Sequence, residues 1–559
     1  MAFFRSRTET HILKPKFFSL IQEGYTLTTF YKDLIAGIIV AILALPLSIA
    51  FAVASGARPE DGLYTAIIAG FLAACFGGSR YQVTGPTGAF ILLVAATIQQ
   101  YGYQGMLIAT LMAGVILIVM GLTHCGAALK FVPYPVIIGF TSGIAVVIFT
   151  TQVKDFFGLV VALPSSFVSK WLLYFSSWPQ INPFAVAISL LGLLLMIYWP
   201  RLSQKIPAAL VSILVTSALV HLLHLPVETI ADRFGTIQGH FPSLAFHPMT
   251  LDITLQLISP AIAIALLAGI ESLLSAVVAD GMTGRRHRSD MELIGQGIAN
   301  IGSSLFGGLP ATGAVARTAS SIKCGAQTPV AVLIQAVVLL LIVLFLGSTV
   351  ALIPMASLSV VLIMVAYNMS EWRHFRTLLR SPAGDLVILL LTFFLTILVD
   401  LVTAIEVGLI FAAFLFINRI ASESHTSDVK EAFIEEETPR EASAQAHLHI
   451  PDGVEVFEIY GSFFFAAAEK FKNTLTSIHT KPKVLILRMR HLMTIDATGV
   501  RALTDIWEKA HREGTQLVLS GVNPHVHRIL TKAGFSGRLG PDNICKDIHS
   551  ALHRAQRWL

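Results

Sequence analysis

The chain has 559 residues, of which 54% are apolar and only 13% are charged. Its mean hydropathy is +0.72, and its charged fraction is about half that of a typical soluble domain. These values exclude an ordinary soluble globular protein and predict an integral membrane protein. The formal net charge of +5 is too small to indicate a nucleic-acid partner, and none is expected.

Composition divides the chain into four parts. Residues 1–30 are polar and basic, without a recognisable secretory signal, and residues 31–420 contain successive apolar runs of membrane length. Residues 421–447 are charged and Ser-rich, as in a linker, and residues 448–559 have the composition of a soluble domain. We therefore expect a polar N-terminal segment, a transmembrane domain, a linker and a soluble C-terminal domain.

The membrane part contains fourteen apolar segments, which lie near residues 34, 62, 86, 105, 134, 183, 208, 257, 293, 314, 328, 350, 385 and 402. Basic residues follow the even-numbered segments, as at Arg80, Arg201, Arg285 and Arg373. Short loops rich in Lys and Arg stay on the cytoplasmic side of a membrane. Both ends of the chain are therefore expected in the cytoplasm.

One motif occurs twice in this hydrophobic sequence. FGGSRYQVTGPTGAF at Phe76–Phe90 is echoed by FGGLPATGAVARTA at Phe306–Ala319, 230 residues later. The echo relates segments one to three to segments eight to ten. Seven is an odd number of membrane crossings. The second copy of a seven-span repeat therefore begins on the opposite side of the membrane from the first. The pattern predicts a seven-plus-seven inverted repeat, which is a transporter architecture.

In each copy the motif precedes an apolar stretch too short to cross a membrane alone, at about 86–98 and about 314–322. A helix that begins inside the membrane presents unpaired N–H groups and the positive end of its dipole there. Gly85 and Gly313 would admit a ligand close to the backbone, Pro86 suits a first helical turn, and Thr87 offers a hydroxyl. Two such N-termini facing one another predict an anion site. Alternatively, the small residues serve only close helix packing.

Two ionisable residues lie in or beside these apolar runs, Arg317 and Glu271. Either would cost about 2.5–3.5 kcal/mol if centred and facing lipid, so each is expected to face a cavity or a partner. Arg317 suits a positive charge beneath a bound anion. Glu271 suits cation coupling, by taking up a proton or by holding Na⁺ with the hydroxyl of Ser275. A structural ion pair between Arg317 and Glu271 is the alternative.

The C-terminal part alternates apolar strand-like runs with helical stretches. The runs VEVFEIY (Val454–Tyr460), KVLILRM (Lys483–Met489) and TQLVLSGV (Thr515–Val522) predict strands, and about 466–479 and 497–513 predict helices. This alternation is typical of an α/β layer fold.

Taken together, these motifs carry a resemblance to a known family. The runs DLIAGIIVAILALPLSIAFAVASGARPEDGLYTA, GGSRYQVTGPTGAF and ESLLSAVVADGMTGRRHRSDMELIGQGIANI resemble the sulfate permease (SulP) family, the bacterial relatives of solute carrier family twenty-six. MTIDATGV followed by a helix and SGVNP resembles the STAS domain found at the end of such transporters. Within bacteria the chain looks similar to the C4-dicarboxylate branch.

The resemblance implies an α-helical membrane protein in the bacterial cytoplasmic (inner) membrane. Segments one to four and eight to eleven would form a core domain, and segments five to seven and twelve to fourteen a gate domain. The core would carry substrate against the gate in an elevator-like motion, within a homodimer surrounded by lipid. A cytoplasmic protein partner would bind through the STAS domain.

The resemblance also implies roles for individual residues. The family's anion pocket falls on two positions of segment one and on the N-termini of the two short apolar stretches, at about 86–98 and about 314–322, which we call half-helices. The substrate-binding residues expected are Leu47, Phe51, Gly85, Pro86, Thr87, Gly88, Ala89, Gly313, Ala314, Val315, Ala316 and Arg317. The coupling residues expected are Glu271 and Ser275. Some relatives have Gln at the position of Leu47 and Ser at that of Ala316, which leaves fewer side-chain donors here and suits recognition by backbone N–H groups.

Asp496 and Thr498 match the STAS loop in which anti-sigma-factor antagonists carry a phosphorylated hydroxyl, so they are the candidate regulatory residues. Asp496 is also a suitable helix N-cap in any case. The structural cap is the favoured interpretation for this chain.

The function expected is secondary active transport of small anions of the C4-dicarboxylate or sulfate class, by H⁺-coupled symport. The alternatives are a Na⁺-coupled bicarbonate transporter, a passive anion channel or exchanger, and a membrane sensor. The sequence contains no Walker A motif, no metal-binding loop and no nucleophile elbow, so we expect no enzyme activity, no metal and no cofactor.

Overall fold

The computed structural model describes residues 13–126, 133–164, 166–203, 207–235, 241, 244, 251–399, 401–423, 426–428, 450–463 and 482–559. Contacts within the chain divide it into two compact units, Met1–Phe411 and Ala412–Leu559. The first unit contains the apolar sequence and the second contains the STAS-like sequence. Each unit is described by itself.

In its described residues, the first unit is helical apart from two strands of two residues each. Its elements are α1 (Lys16–Glu23), α2 (Leu27–Ala54), α3 (Pro59–Phe76), β1 (Thr84–Gly85), α4 (Phe90–Leu122), α5 (Tyr134–Phe156), α6 (Phe167–Ser176), α7 (Pro183–Leu202), α8 (Ala208–Leu222), α9 (Ile230–Phe234), α10 (Leu251–Gln256), α11 (Ile258–Thr283), α12 (Ser289–Leu305), β2 (Thr312–Gly313), α13 (Val315–Lys323), α14 (Val330–Val350), α15 (Met355–Met369), α16 (Trp372–Leu378), α17 (Ala383–Leu398) and α18 (Leu401–Glu423). The boundary between the two units falls within α18.

Each of the fourteen predicted segments corresponds to a helix in the described part of the chain. Helix α4 supplies two of them, because Gly102, with φ 74° and ψ 174°, breaks it into two halves. By length and composition alone, seven of the described helices can cross a membrane: α2, α4, α5, α7, α11, α14 and a span that runs from α15 to the end of α16. The numbers seven and fourteen differ because α4 holds two of the segments, because helices such as α8, α13 and α17 are too short for that criterion, and because α3, with Glu60 and Asp61 in its first turn, is not among the seven.

The helices pack in two groups, as the resemblance implies. In the first group α12 packs against α3 and α4, α14 packs against α2 and α3, and α11 packs against α4 and α13. In the second group α15 packs against α5, α7 and α8, and α17 packs against α5. Helix α2 also contacts α8 and α15, so the first helix of one group lies against the other.

A reciprocal glycine contact shows how closely helices of the first group approach. A Cβ atom added at Gly114 of α4 would lie 2.7 Å from the carbonyl oxygen of Gly297 of α12, and one added at Gly297 would lie 2.6 Å from that of Gly114. Small residues at a crossing allow this approach, because lipid supplies no hydrophobic force to push helices together.

The second unit is an α/β domain. Its elements are β3 (Thr426–Asp428), β4 (Val454–Ile459), β5 (Gly461–Phe463), β6 (Val484–Arg488), β7 (Leu492–Ile495), α19 (Ala497–Arg512), β8 (Gln516–Ser520), α20 (Pro524–Lys532), α21 (Phe535–Leu539), β9 (Ile544–Cys545) and α22 (Ile548–Ala555). A five-stranded sheet has the order β3–β4–β6–β8–β9, in which β3 is antiparallel to β4 and the other pairs are parallel. The predicted strands and the predicted helix near 497–513 are confirmed.

One boundary differs from the sequence-based expectation, and one predicted helix is not tested. That helix, at about 466–479, lies outside the described residues. The predicted linker, residues 421–447, is not entirely irregular, because α18 continues to Glu423 and Thr426–Asp428 forms the edge strand β3. Pairing with β4 satisfies the backbone of this short polar segment, which its composition alone did not indicate.

Candidate functional site

The two copies of the repeated motif meet in a backbone pair inside the membrane unit. Strand β1 pairs antiparallel with β2, with Thr84 opposite Gly313 and Gly85 opposite Thr312. Identical dipeptides therefore face one another in opposite directions, as an inverted repeat requires. All four residues are buried. The N–H of Ala314 continues the contact by donating to the carbonyl of Val83 at 2.9 Å.

Buried hydroxyls fix the second strand to α11. The Thr312 hydroxyl donates to the carbonyl of Ala268 at 3.0 Å and accepts from Ser272 at 2.8 Å, and Ser272 Oγ accepts the N–H of Gly313 at 3.0 Å. Gln82 donates through Nε2 to the carbonyl of Ser272 at 3.0 Å.

A chain of polar side chains on α12 fixes the first strand. Gln296 donates through Nε2 to Thr84 Oγ1 at 2.8 Å and to Glu292 Oε1 at 2.9 Å. The other oxygen of Glu292 accepts the N–H groups of Gly78 and Ser79 at 2.8 and 2.9 Å. All of these groups are buried, so each bond removes the cost of an unpaired polar group.

Both half-helices begin without a side-chain cap. Ala89 occupies the N-cap position of α4 and Ala314 that of α13, and neither side chain accepts a hydrogen bond from the first turn. The prediction that Pro86 stands in the first helical turn is wrong, because α4 begins at Phe90, four residues later. Residues 86–89 instead turn the chain from β1 into the helix, with the N–H of Phe90 donating to the carbonyl of Thr87 at 3.2 Å.

Arg317 extends from the second half-helix to the first. Its side chain is only 2% exposed, and its Nη2 donates to the carbonyl of Pro86 at 2.5 Å. The other terminal nitrogen, Nη1, is buried and has no hydrogen-bond partner. A Cβ atom at Gly85 would lie 2.9 Å from Nη1, so this glycine makes room for the guanidinium group. The site therefore holds a buried cation with one unused donor.

Glu271 lies beside the first half-helix and is partly buried. Its Oε2 accepts the hydroxyl of Thr87 at 3.1 Å. Among the described residues, no nitrogen of Arg317 lies within 4 Å of a Glu271 oxygen, so the alternative of a direct ion pair between them is wrong. Ser275 donates to Thr318 Oγ1 at 3.1 Å, and Thr318 accepts the N–H of Val83. This hydroxyl thus connects α11 to the half-helix region.

The remaining predicted residues lie around the same N-termini. A Cβ atom at Gly88 would lie 3.5 Å from Phe51 Cε1 and 2.7 Å from Met369 Sδ, so Phe51 and the end of α15 flank the first half-helix. Leu47 is partly buried one turn before Phe51 on α2. On the second half-helix, Val315 and Ala316 are exposed.

Sequence reasoning missed the polar residues of α12 and its neighbours, such as Gln82, Glu292 and Gln296. Gln296 and Asn300 stand four residues apart, on one face of a helix. Asn300 Nδ2 donates to the carbonyls of Gln296 and Ala311, and its Oδ1 accepts the N–H of Ala311. A pair of amide residues at this spacing within an apolar segment was the available signal.

In the C-terminal unit, Asp496 is the N-cap of α19 and its Oδ1 accepts the N–H of Gly499 at 2.7 Å. Thr498 is exposed in the first turn of the same helix. A regulatory role for this loop stays a prediction.

Comparison with known proteins identifies the family. Residues 30–392 match the sulfate permease family and residues 445–551 match the STAS domain. The chain belongs to the sulfate permease family. It is an integral membrane protein, and its relatives are transporters rather than enzymes.

Individual relatives cover nearly the whole chain. It is 40% identical over 528 residues to the "Putative sulfate transporter YvdB" of Bacillus subtilis, an alignment that spans 93% of this chain and 97% of the relative. It is 30% identical over 539 residues to the "Bicarbonate transporter BicA" of Picosynechococcus, with 94% of both chains covered. The fold is similar to that of the murine Slc26a9 anion transporter in the inward-facing state, with a TM-score of 0.85 at 18% identity over 97% of this chain and 93% of the other.

Proposed function

We propose that this protein is a secondary active transporter of a small anion of the sulfate or C4-dicarboxylate class, coupled to H⁺. The observation that carries the proposal is the meeting of two uncapped half-helix N-termini around a buried arginine. The identities to proteins named as sulfate and bicarbonate transporters support the general class of cargo.

The site has the chemistry of an anion receptor. Uncapped helix N-termini present backbone N–H donors and the positive ends of two helix dipoles. Arg317 adds a full positive charge and a free Nη1 donor. A buried cation without an ion pair is costly, and a bound anion removes that cost. Sulfate and carboxylates both accept several hydrogen bonds at once, which matches a set of donors from two directions.

Glu271 is the proposed coupling residue. Its carboxylate accepts a hydrogen bond from Thr87, which belongs to the loop that begins the first half-helix. When it is charged, it repels an anion that approaches the same N-terminus. Protonation removes that repulsion, so a proton and the anion bind together, which is the requirement for symport. The alternative is a Na⁺-coupled bicarbonate transporter, in which the oxygens of Glu271 and Ser275 would bind the cation.

The packing of the helices suits an elevator-like motion. The half-helices and α2 belong to one group of helices. Helix α15 of the other group lies beside the site near Gly88. In the proposed cycle the first group carries the anion past the second. We further propose that the protein acts as a homodimer in the bacterial inner membrane and that the STAS domain binds a cytoplasmic partner.

Uptake into proteoliposomes tests the proposal. Radiolabelled sulfate, succinate, fumarate and bicarbonate are supplied separately, with a pH gradient or a Na⁺ gradient imposed one at a time. We expect one anion to accumulate against its gradient under the pH gradient. In the Arg317→Ala variant, loss of a hydrogen bond to a charged group raises the required anion concentration roughly 10- to 150-fold.

The Glu271→Gln variant tests the coupling separately. It keeps the shape of the side chain but cannot exchange a proton, so we expect anion flux that no longer follows the pH gradient. Full pH dependence in this variant would exclude Glu271 as the coupling residue. Dissipative flux in the wild type, without accumulation, would replace the symporter with a passive channel or exchanger.

A further inference from the structure

A cavity of about 690 Å³ lies between the two groups of helices, away from Arg317. The first half of α4 and the start of α11 form one wall, and residues of α5, α17 and α18 form the other. The segment that leads into α6, together with the first turn of α6, closes one side. The cavity is therefore lined by both groups of helices.

The cavity follows the first half-helix along its length. Its lining on α4 begins at Leu92, two residues after the helix starts, and ends at Tyr101, beside the break at Gly102. At 1.5 Å per residue this interval measures about 14 Å. The cavity thus leads from the half-helix N-terminus towards one face of the membrane.

The distribution of basic residues identifies that face as the outer one. Arg80, Arg201 and Arg285 follow α3, α7 and α11 and indicate the cytoplasmic side. The cavity lies at the opposite ends of the helices, near the start of α11 and the end of α17. It is therefore an outer vestibule, which we define as the cavity lined by α4, α5, α6, α11, α17 and α18.

Lys170 is the one cation among the described residues that line the outer vestibule. It is partly buried, and burial lowers the pKa of its amine. In the described part of the chain, no carboxylate lies within 4 Å of this amine and no side-chain acceptor bonds to it. Glu406 lines the same cavity but lies beyond that distance. An ammonium group without a partner in a confined polar space attracts an anion.

We propose that the outer vestibule is a second anion site, at which Lys170 binds the transported anion before it reaches Arg317. This inference rests on the proposed function for the identity of the ligand, a small oxyanion such as sulfate or a carboxylate. Gln99, Gln100 and Thr403 line the same cavity and supply polar groups around it. Glu406 limits the net positive charge, so the anion is held weakly enough to move on, as conduction requires.

Side-specific kinetics test the site in the full-length protein. The Lys170→Gln variant should raise the KM for external anion roughly 3- to 10-fold at low ionic strength while leaving the maximal rate unchanged, because a charge in a cleft raises the local anion concentration. The increase should shrink as salt is added. The KM for efflux should stay the same, and Lys170→Arg should behave as the wild type does.

The matched control is Lys154→Gln. Lys154 is a partly buried lysine in the last turn of α5, on the same side of the membrane but outside the described lining of the vestibule. We expect wild-type kinetics from it. An unchanged external KM in Lys170→Gln, or an equal rise in the efflux KM, would overturn the proposal.

A binding measurement separates this site from the proposed function. The thermal midpoint of the detergent-solubilised Arg317→Ala variant is measured in sulfate and in gluconate of equal ionic strength. Sulfate should raise the midpoint of this variant, and the rise should disappear in the Arg317→Ala and Lys170→Gln double variant. A rise that persists in the double variant, or no rise in Arg317→Ala, would refute the vestibule site. Loss of all uptake in the wild type would instead refute only the proposed function.

Discussion

In the C-terminal unit, the helices of eight or more residues are α19, α20 and α22, and their N-cap residues, Asp496, Asn523 and Asp547, accept N–H groups of the first turn through their side chains. In the membrane unit, the N-cap residues of the half-helices α4 and α13 are Ala89 and Ala314, whose side chains accept none. The soluble helices thus cap their own N-termini with side chains, whereas the half-helices have no side-chain cap, and at α4 the N–H groups of Phe90 and Ile91 donate to the carbonyls of Thr87 and Gly88.

A side-chain cap stabilises a helix, whereas an N-terminus without a cap is available to a ligand. A cap contributes about 1 kcal/mol to the helix that carries it, so an alanine at the N-cap gives up that contribution. At a buried N-terminus the loss is larger, because lipid and neighbouring helices offer no water to the free N–H groups. In the proposed function, a bound anion accepts hydrogen bonds from donors that no side chain caps. On that proposal, the N-termini of the half-helices are places where a ligand completes the structure.

The largest effect is expected when the open N-terminus of α13 is closed. Ala314→Asp would cap the helix with a carboxylate and put a negative charge beside Arg317. Because like charges in a binding site cost several kcal/mol, we expect anion uptake to fall on the order of 100-fold or more. The thermal midpoint should rise or stay constant, since Asp is a good N-cap. Uptake and thermal unfolding are measured on the same preparations.

The neutral variant Ala314→Asn is the control for this substitution. It supplies a cap without a charge, so it should reduce uptake less than Asp does. Wild-type uptake in Ala314→Asp would mean that the N-terminus of α13 does not face the anion.

A smaller effect is expected from the backbone pair that holds the two open N-termini together. A Cβ atom at Gly313 would lie 1.9 Å from Gln82 Nε2, so Gly313→Ala must displace Gln82 from the carbonyl of Ser272. Overpacking of this kind costs about 1–3 kcal/mol, and we expect a lower midpoint in thermal unfolding of the solubilised protein. Gly281→Ala is the control, because no atom lies within 4 Å of a Cβ atom added there. Equal midpoints for the two variants would contradict the role assigned to Gly313.

The smallest effect is expected at Asp496, the side-chain cap of α19 in the C-terminal unit. Asp496→Ala removes the acceptor of the Gly499 N–H and should destabilise α19 by about 1 kcal/mol. Hydrogen exchange of the full chain, followed by mass spectrometry, should show faster exchange in the first turns of α19. Asp496→Asn should preserve protection, because Asn also caps helices well. Faster exchange in both variants would show that the charge, rather than the cap, protects the helix.

Much of the architecture could be predicted because it depends on periodic or repeated features. The lengths of the apolar runs predicted the segments, and the repeated Gly and Thr residues predicted where the two half-helices come together, although not that a pair of short strands joins them. Arg317 stood out because a charge in an apolar run is costly. The sequence therefore indicated which residues approach the site.

The start of α4 and the support of the site could not be predicted in the same way. Pro86 is favourable at a first helical turn, but tertiary contacts prevailed, because its carbonyl accepts Arg317 and the helix begins only at Phe90. Glu292 and Gln296 stand near the basic loop and resemble surface residues of a soluble helix. Their role depends on contacts with Gly78 and Thr84, more than 200 residues earlier, which local patterns do not contain.

The two-residue strands have a consequence for how such a protein changes over evolutionary time. Strands β1 and β2 join the two halves through main-chain groups, and Gly85 and Gly313 leave room there for Arg317 and Gln82. Selection can exchange an exposed residue such as Ala316 without disturbing the crossing of the half-helices. Substitutions at such exposed positions can therefore accumulate over time, while the pairing that brings the two halves together is kept.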